Sequence, residues 1–389
     1  MLEFLFLSLP VAVAYGWVMG RNSLRKTQRK QSSILSKHYY KGLNFLLSDQ
    51  PDKAVDTFIK MMSVNNDTIE THIAMGNFFR HRGELDRAIR VHQNLVSREE
   101  INAQQQANAL VELGTDYLLA GFLERAEGVF IQLLENEDHF LSAQKKLFGI
   151  YQVTKEWHKA IELASRSLKI TPKDTVLKQL LSHFYCEQAE IYLDEKQDKQ
   201  ARELLMQAID IAPDEVRAYL LMARLCLAAQ EYDHAFNYLS KIAEHNPDWL
   251  SETIPLLKTW ATETNNWQSF DKLLASRWEH CASAYIAKSE LIEQQVSLEQ
   301  ASQLLVEQLD KHPTMQGFVA LMDNYRKQIA DESSRKSIAN LQSLLSKQIL
   351  QRPKYRCHSC GFSGRRLHWL CPACKKWSVL KPIKGLDGE

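Results

Sequence analysis

Four cysteines near the C-terminal end of the sequence have the type and spacing that most directly indicate chemistry. Cys357 and Cys360 form one Cys-x2-Cys pair, and Cys371 and Cys374 form a second pair after a spacer of ten residues. In each pair, two thiolates can reach the same ion from one tight loop, and two such loops complete a tetrahedron. We therefore predict that these four cysteines bind one metal ion.

The predicted site is structural, because four sulfurs leave no coordination position for water or substrate. The residues leave the metal open between zinc, as in a zinc ribbon, and iron in the same four-sulfur cage. Gly361 suits the loop of the first pair, whereas Lys375 and Lys376 replace the glycine expected after the second. A redox-active dithiol is the alternative use of such pairs. It is less favoured, because that motif occurs once and beside a βαβ pattern that is absent here.

Aromatic and basic residues surround the cysteines. We expect Phe362, Trp369 and Trp377 to pack this small domain onto the last helices. From Ser333 to Leu386 the sequence has twelve Lys and Arg residues and no acidic residue, so this block could contact RNA, anionic lipid or an acidic protein surface. Part of this charge would be local compensation, since a divalent ion held by four thiolates carries a net charge of about −2.

The elements that precede this domain are predicted to be helical repeats. Alanines in similar surroundings recur at intervals of 34, 38, 34, 41 and 34 residues. A period of 34 is that of the tetratricopeptide repeat, in which each unit is a helix, a turn and a second helix. Glycines at the expected turns and prolines after the second helices fit this pattern. The alanines are Ala54, Ala88, Ala126, Ala160, Ala201 and Ala235, the glycines Gly83 and Gly121, and the prolines Pro172, Pro213 and Pro247.

The repeats predict a binding groove. Stacked helix pairs leave a concave surface that is suited to holding a peptide or another protein. The repeat register places Asn77, Arg80, Lys145 and Arg224 along this groove. Any one of them is more often an ordinary solvated helix residue, so the prediction concerns the groove more than a single side chain. The remaining cysteines, Cys186, Cys226 and Cys281, are predicted to be buried small hydrophobes.

The N-terminal residues predict a membrane anchor. Residues 2–20 carry one charged side chain, Glu3, and would extend roughly 28 Å as a helix, close to the ~30 Å hydrocarbon core of a bilayer. Basic residues follow the apolar stretch, whereas a secretory signal has them before it. The expected topology is a single pass, with the N-terminus periplasmic and the body facing the cytoplasm. A cleaved signal and a buried helix are the alternatives.

These features together predict an all-α fold. It consists of an anchor over residues 1–20, a basic segment over 21–34, a superhelical solenoid of about eight tetratricopeptide repeats over 35–318, a helical cap over 319–352 and a metal domain over 353–389. The 48 Lys and Arg against 47 Asp and Glu argue for neither nucleic acid nor an acidic substrate as a partner. Walker, GxSxG and HExxH motifs are absent from the sequence, so we expect a protein that is not an enzyme.

The ordered set of anchor, basic flank, tetratricopeptide repeats and terminal Cys-x2-Cys-x10-Cys-x2-Cys motif resembles the lipopolysaccharide assembly protein B family of Gram-negative bacteria. The resemblance implies an inner-membrane protein with a rubredoxin-like domain whose metal ligands are Cys357, Cys360, Cys371 and Cys374. It also implies joint action with a membrane-bound AAA+ metalloprotease that degrades the deacetylase committed to lipid A synthesis.

Three hypotheses for function follow. The favoured one is a regulator of lipopolysaccharide synthesis that acts as an adaptor for that protease. The second is an RNA-binding protein that uses the basic metal domain. The third is an assembly scaffold that bridges envelope biosynthetic enzymes without proteolysis. The sequence leaves open whether the chain also forms a homodimer.

Overall fold

The computed structural model describes residues 69–99, 101–275 and 281–389, together with positions 19, 40–42, 44, 45, 48, 50, 52–54, 56 and 57. The chain divides into two compact units between Lys155 and Glu156. Helices build both units within the described residues, and a small β-sheet stands at the C-terminal end of the second. Consecutive helices pack against one another in both units, as the predicted helical repeats require.

Between residues 69 and 155 the first unit has five helices, and each packs against the next. At the turns that follow the first and third helices, Gly83 has a φ of 78° and Gly121 a φ of 79°. Glycine adopts this left-handed conformation without the steric cost of a Cβ, which confirms the predicted turns. The helices are α1 (Ile69–His81), α2 (Leu85–Val96), α3 (Ala103–Leu119), α4 (Leu123–Leu133) and α5 (Phe140–Thr154).

Small residues permit close approach within these helix pairs. A Cβ atom added at Gly76 would lie 2.2 Å from Nε2 of His92, and one added at Gly114 would lie 2.8 Å from the ring of Phe130. Neither distance is compatible with ordinary van der Waals contact, so a larger residue would force the helices apart. These glycines therefore fix how tightly each first helix packs on its second.

The second unit contains eleven helices within its described residues and a 3-10 turn, Pro247–Trp249. Three of its second helices end two residues before the predicted prolines, because proline cannot continue the helical hydrogen bonds. The helices are α6 (Trp157–Ile170), α7 (Thr175–Asp194), α8 (Asp198–Ile211), α9 (Val216–Ala228), α10 (Tyr232–His245), α11 (Leu250–Thr264), α12 (Trp267–Leu274), α13 (Ala282–Gln295), α14 (Leu298–Lys311), α15 (Met315–Gln328) and α16 (Glu332–Gln351).

The periodic alanines lie in the interior of the repeats. All of them are fully buried, which explains why the repeat tolerates so little volume at this position. They are Ala54, Ala88, Ala126, Ala160, Ala201 and Ala235, and Ala301 of α14 is likewise fully buried. The short α12 packs beside α11, and the ring of its Phe270 is fully buried. The predicted boundary between residues 318 and 319 falls inside α15.

A three-stranded antiparallel sheet follows α16. Its strands are β1 (Tyr355–Cys357), β2 (Ser363–Gly364) and β3 (Leu380–Pro382), in the order β2-β1-β3. Arg356 of β1 pairs with Ser363 on one side and with Lys381 on the other. The sheet holds one cysteine pair at the end of β1 and brings the second pair, which lies between β2 and β3, back to it.

The expected single pass through the bacterial inner membrane is contradicted. Crossing a bilayer as a helix takes about 20 consecutive apolar residues. Among the residues that the structure describes, none of the helices combines that length with sufficient apolar character. The predicted anchor over residues 2–20 lies outside the described residues except for Met19, and the basic segment over 21–34 lies outside them entirely.

Candidate metal centre

The two cysteine pairs have nearly the same backbone geometry. In the first, the N–H of Gly361 donates to the carbonyl of Cys357 at 3.0 Å, and in the second the N–H of Lys375 donates to the carbonyl of Cys371 at 2.9 Å. Both residues are left-handed, with φ values of 77° for Gly361 and 56° for Lys375. The lysine that departs from the expected glycine therefore adopts the glycine conformation. The second loop keeps its shape at a local steric cost.

The four sulfur atoms form a compact cluster. The Sγ atoms of Cys357 and Cys374 are 3.8 Å apart, those of Cys360 and Cys371 are 3.7 Å apart, and all four lie within 4.8 Å of one another. A tetrahedral ion with metal–sulfur bonds of about 2.3 Å places its sulfurs about 3.8 Å apart. The cluster therefore has the size that one four-coordinate ion requires.

The backbone supplies hydrogen bonds to this cluster. The N–H groups of Ser359 and Cys360 donate to Sγ of Cys357, both at 3.4 Å. Desolvation alone would raise the pKa of the Cys357 thiol, but these N–H groups and the neighbouring thiols outweigh it and lower the pKa to about 6. A thiolate is the form that binds metal, so the loop favours the ligand state.

The remaining cysteines are not part of this site. Cys186 and Cys226 are fully buried and Cys281 is 7% exposed, as predicted for small hydrophobes. Burial raises the pKa of the Cys186 thiol to about 12, which keeps it protonated and unsuited to metal.

Two tryptophans fix the metal domain to the repeats. The ring of Trp369 stacks on Trp249 of the 3-10 turn with centroids 4.9 Å apart, and the ring of Trp377 stacks on His183 of α7 with centroids 4.7 Å apart. The guanidinium carbon of Arg217 lies 5.9 Å from the Trp369 centroid and 5.8 Å from the Trp377 centroid. The indoles therefore enclose a cation from α9, an arrangement that gains from cation–π attraction.

This placement corrects the expectation that Phe362, Trp369 and Trp377 pack against the last helices. The two tryptophans contact α7, α9 and the 3-10 turn, while Phe362 packs inside the metal domain beside Cys357 and Leu380. The chain between the repeats and the cysteines folds back through α16, a helix with no buried residue. The metal domain follows the last helices in sequence, but its tryptophans do not dock on them.

A buried polar cluster lies beside Trp377. The hydroxyl of Ser378 donates to Oε2 of Glu215 at 3.0 Å, and Nε2 of His183 lies 3.0 Å from the same hydroxyl oxygen. Burial, and then the positive charge of Arg217, lower the pKa of His183 to about 3. Burial raises the pKa of Glu215. The imidazole is therefore neutral at physiological pH and contributes hydrogen bonding without an added charge.

Ion pairs surround the aromatic contacts. Nζ of Lys354 donates to Glu252 of α11 at 2.8 Å, and the Tyr355 hydroxyl donates to the same carboxylate at 2.5 Å. Lys381 and Lys384 both donate to Asp248, at 3.1 and 2.6 Å. Three of the twelve basic residues in this block, Lys354, Lys381 and Lys384, therefore form ion pairs that hold the metal domain on the repeats. The sequence shows the basic charge but not these acidic partners, which lie more than 100 residues earlier in the chain.

The predicted groove residues lie in different places. Arg80 and Asn77 are adjacent on α1, where Nη2 of Arg80 donates to the amide oxygen of Asn77 at 2.5 Å. Arg80 also pairs with Glu112 at 2.5 Å and with the buried Asp116 at 2.9 Å, so it contributes to the interior of the first unit.

Lys145 belongs to an apolar surface pocket of the first unit, together with Val153 and Leu118. Arg224 lines a cavity between the repeats of the second unit and the metal domain. The structure therefore brings Asn77 and Arg80 together and leaves Lys145 apart from them. Their proposed role in partner binding stays a prediction.

Comparison with known proteins supports both parts of this arrangement. A family model described as "Rubredoxin metal binding domain" matches residues 355–382, and models described as "Tetratricopeptide repeat" match residues 71–102 and 192–252. The rubredoxin match and the sulfur geometry together support one structural ion, zinc or iron, held by four cysteines.

Curated relatives match over the full length. The chain is 38% identical over 390 residues to "Lipopolysaccharide assembly protein B" of Escherichia coli (strain K12), and the match covers 100% of both chains. It is 36% identical over 398 residues to the protein of the same name from Haemophilus influenzae, again with full coverage of both.

Among solved structures, a tetratricopeptide repeat protein from Parabacteroides merdae covers 72% of the chain at 17% identity, with 100% of its own length matched and a TM-score of 0.33. The structure of MamA from Desulfovibrio magneticus RS-1 covers 46% of the chain at 17% identity, with 95% of its own length matched and a TM-score of 0.31. Similarity this low carries no argument about what the chain binds.

Proposed function

The chain belongs to the lipopolysaccharide assembly protein B family, and we propose that it is a non-enzymatic adaptor that regulates lipopolysaccharide synthesis. In this proposal it binds the deacetylase that commits precursors to lipid A and presents it to a membrane-bound AAA+ metalloprotease. Degradation of the deacetylase then limits lipopolysaccharide production. Other envelope assembly proteins are further partners of the same adaptor.

The observation that supports an adaptor best is the fixed docking of the metal domain on the repeats. The stacking of Trp369 on Trp249 and of Trp377 on His183, together with the partly buried carboxylate of Glu252, holds this domain against α7, the 3-10 turn and α11. The surface of the helical repeats and the surface of the metal domain therefore have a fixed relative position within the second unit. A protein that binds one partner on each surface raises the effective concentration of one partner for the other.

The metal supports this role without taking part in a reaction. When bound, the ion cross-links the two cysteine loops and so stabilises a domain of fewer than 40 residues, which is below the size that folds readily on its own core. The chain's own residues then orient the docking face: β1 positions Tyr355 for Glu252, and the second loop positions Trp377 and Ser378 for α7 and α9.

The RNA-binding hypothesis is less well supported. Lys354, Lys381 and Lys384 each have an acidic partner on the repeats, so they are not free to neutralise phosphates. The scaffold hypothesis differs from the adaptor only in lacking proteolysis, so the stability of the deacetylase distinguishes the two.

The test is the half-life of the deacetylase after translation is stopped, in cells with and without this chain. The adaptor predicts a longer half-life without the chain, and no effect of its loss once the protease is depleted. A Cys371→Ser variant, expressed at the wild-type level, should resemble the deletion. An unchanged half-life in the deletion strain contradicts the adaptor and favours the scaffold.

A further inference from the structure

A groove of about 580 Å³ lies on the surface of the first unit, between α5 and the turn that joins α3 to α4. Leu118 at the end of α3 and Leu123 at the start of α4 form one side of it, and residues of α5 form the other. Ligand sites in proteins usually have volumes of about 300–1,000 Å³. The groove is therefore large enough to hold several atoms of a ligand side chain together with its neighbours.

One face of α5 lines this groove. Ser142, Lys145, Gly149 and Val153 are three or four residues apart, so they follow one another along a single face of the helix, and all four are exposed. Other positions of α5, such as Leu147, are buried in the unit. The helix therefore packs into the repeats with one face and presents to the groove the face to which the repeat register assigns partner binding.

The floor of the groove is apolar and accessible. Val153 is 67% exposed, Leu118 and Leu123 are partly exposed, and Ile150, at 2% exposure, lies at the bottom. A Cβ atom added at Gly149 would meet no other atom within 4 Å, so the backbone there faces open space. An apolar side chain that entered the groove would remove water from Val153 and from both leucines, which is favourable.

The charge of the groove is positive. Lys145 and Lys146 line it, and the other six lining residues are uncharged. Neither lysine has an ion pair or a hydrogen bond from its side chain to any described residue. Arg80 and Arg87 of the same unit, by contrast, are paired with acidic side chains. The two unmatched ammonium groups therefore favour an anionic group on whatever binds here.

The apolar floor and the two lysines together select the kind of ligand. A nucleic-acid backbone would pair with the lysines but would leave the floor in contact with water. A purely apolar segment would cover the floor but leave both ammonium groups unmatched. A protein segment that carries an apolar side chain beside a carboxylate matches both features.

We propose that this groove binds a segment of a client protein in which leucine-like side chains alternate with Asp or Glu. The apolar side chain packs against Val153 and Leu118, and the neighbouring carboxylate accepts hydrogen bonds from Nζ of Lys145 and Lys146. That the segment belongs to a client of the adaptor rests on the proposed function, whereas the chemistry of the groove does not.

The test uses the full-length, metal-loaded chain and a fluorescein-labelled peptide, Gly-Ser-Glu-Leu-Glu-Leu-Glu-Ser-Gly, with fluorescence anisotropy as the readout. One twin peptide carries Gln in place of each Glu, and a second carries Ser in place of each Leu. Exposed ion pairs are weak, so the Gln twin should bind about fivefold less tightly at low salt, and this difference should shrink at high salt. The Ser twin loses apolar burial and should bind about tenfold less tightly.

Substitutions on the protein locate the site. Gly149→Glu places a side chain and a negative charge in the groove, and it should weaken binding of the parent peptide by about tenfold or more. Gly128→Glu is the matched control. Gly128 is also an exposed helical glycine at which an added Cβ would meet no atom within 4 Å, but it does not line the groove.

A second pair of substitutions tests the charge. Lys145→Glu should weaken binding of the parent peptide by about tenfold, because an attraction becomes a repulsion. Lys199→Glu makes the same change at an exposed lysine of α8 outside the groove and should leave the affinity unchanged. Circular dichroism should show that the glycine and lysine variants are all folded.

The proposal is overturned if the parent peptide does not bind, if either twin binds as tightly as the parent, or if Gly149→Glu binds like Gly128→Glu. Two further measurements test other occupants of the groove. Binding to phosphatidylglycerol vesicles that depends on Lys145, without peptide binding, overturns the proposal in favour of a membrane surface. A dimer in sedimentation equilibrium that Gly149→Glu dissociates overturns it in favour of a second copy of the chain.

The proposed function is tested separately by the deacetylase half-life. If Gly149→Glu abolishes peptide binding but leaves that half-life at the wild-type value, the groove is supported and the deacetylase is not its client. If deletion of the chain leaves the half-life unchanged while the parent peptide still binds in the groove, the adaptor role fails and the binding site stands.

Discussion

Lys375 holds the left-handed backbone position in the second cysteine loop that Gly361 holds in the first, and each N–H donates to the carbonyl of the cysteine four residues earlier. A residue with a Cβ pays about 1–2 kcal/mol for this conformation, whereas glycine adopts it freely. The similarity of the two loops is therefore maintained against a local steric penalty in the second.

Replacing Lys375 by glycine should stabilise the metal domain by about 1 kcal/mol, because the left-handed strain is relieved and the loop is otherwise unchanged. The measurement is the free energy of urea unfolding of the metal-loaded chain, followed by tryptophan fluorescence. Lys376→Gly is the control, since Lys376 is not among the left-handed residues and glycine there gains only flexibility. Equal effects of the two substitutions would refute the strain argument.

The metal should be needed for docking as well as for folding of the small domain. Cys371→Ser removes one of four ligands, so the loops that carry Trp369 and Trp377 lose their cross-link. We expect loss of the bound ion, and a shift of tryptophan emission to longer wavelength as the indoles leave Trp249 and His183 for water.

Cys186→Ala is the control for this substitution, because Cys186 is a buried, protonated thiol in α7 outside the cluster. It should retain one ion per chain, as measured by elemental analysis. Retention of a full equivalent of metal by Cys371→Ser would contradict the four-cysteine assignment.

The sequence predicted the repeats and the metal domain for definable physical reasons. Ala126 and Ala160 are fully buried, and small buried positions of this kind recur with the period of the repeat. Cys357 and Cys360 belong to a short-range motif whose spacing is imposed by the size of one ion. The alanine period and the cysteine spacing can both be seen in one sequence, because the first repeats along the chain and the second involves residues that are close together in the chain.

The docking interface could not be predicted in this way. Ser378 bonds His183 across 195 positions, and Lys354 bonds Glu252 across 102. In one sequence, His183 and Glu252 are indistinguishable from ordinary helix residues. An unusually basic C-terminal block indicates that acidic partners exist, but it does not select Asp248 or Glu252 among 47 acidic residues.

Docking should weaken in mild acid because of His183. Its pKa in the folded chain is about 3, against the ordinary histidine value of 6.5, so the neutral imidazole contributes stability that is fully present above pH 6.5. As pH falls below 6.5 the unfolded chain binds the proton and the folded chain does not, so this stability is progressively lost. The loss amounts to about 2 kcal/mol between pH 7.5 and pH 5.

Urea unfolding of the wild type and of His183→Gln at both pH values measures this contribution. Glutamine keeps a hydrogen-bonding group near Ser378 and does not titrate. The free energy of unfolding of His183→Gln should therefore change less between the two pH values than that of the wild type. His245→Gln removes an exposed histidine of α10 and should behave like the wild type. The same pH dependence in all three proteins would exclude His183 as the cause.

The two acidic anchors of the metal domain should differ in strength. The side chain of Glu252 is 14% exposed and accepts from both Lys354 and Tyr355, whereas that of Asp248 is 39% exposed. Although burial opposes it, the Glu252 carboxylate raises the pKa of Lys354 above its usual range. Loss of a partly buried charged acceptor costs about 1–3 kcal/mol, while an exposed ion pair contributes about 0–1 kcal/mol and is screened by salt.

Glu252→Gln should therefore destabilise the docked state by about 1–3 kcal/mol at low and at high salt. Asp248→Asn should cost less than about 1 kcal/mol, and that cost should shrink in 1 M sodium chloride because Lys381 and Lys384 are largely hydrated. Urea unfolding with tryptophan fluorescence at both salt concentrations compares the two variants directly. If Asp248→Asn proved the more damaging of the two, docking would depend on the exposed lysines and not on the buried contact of β1 with α11.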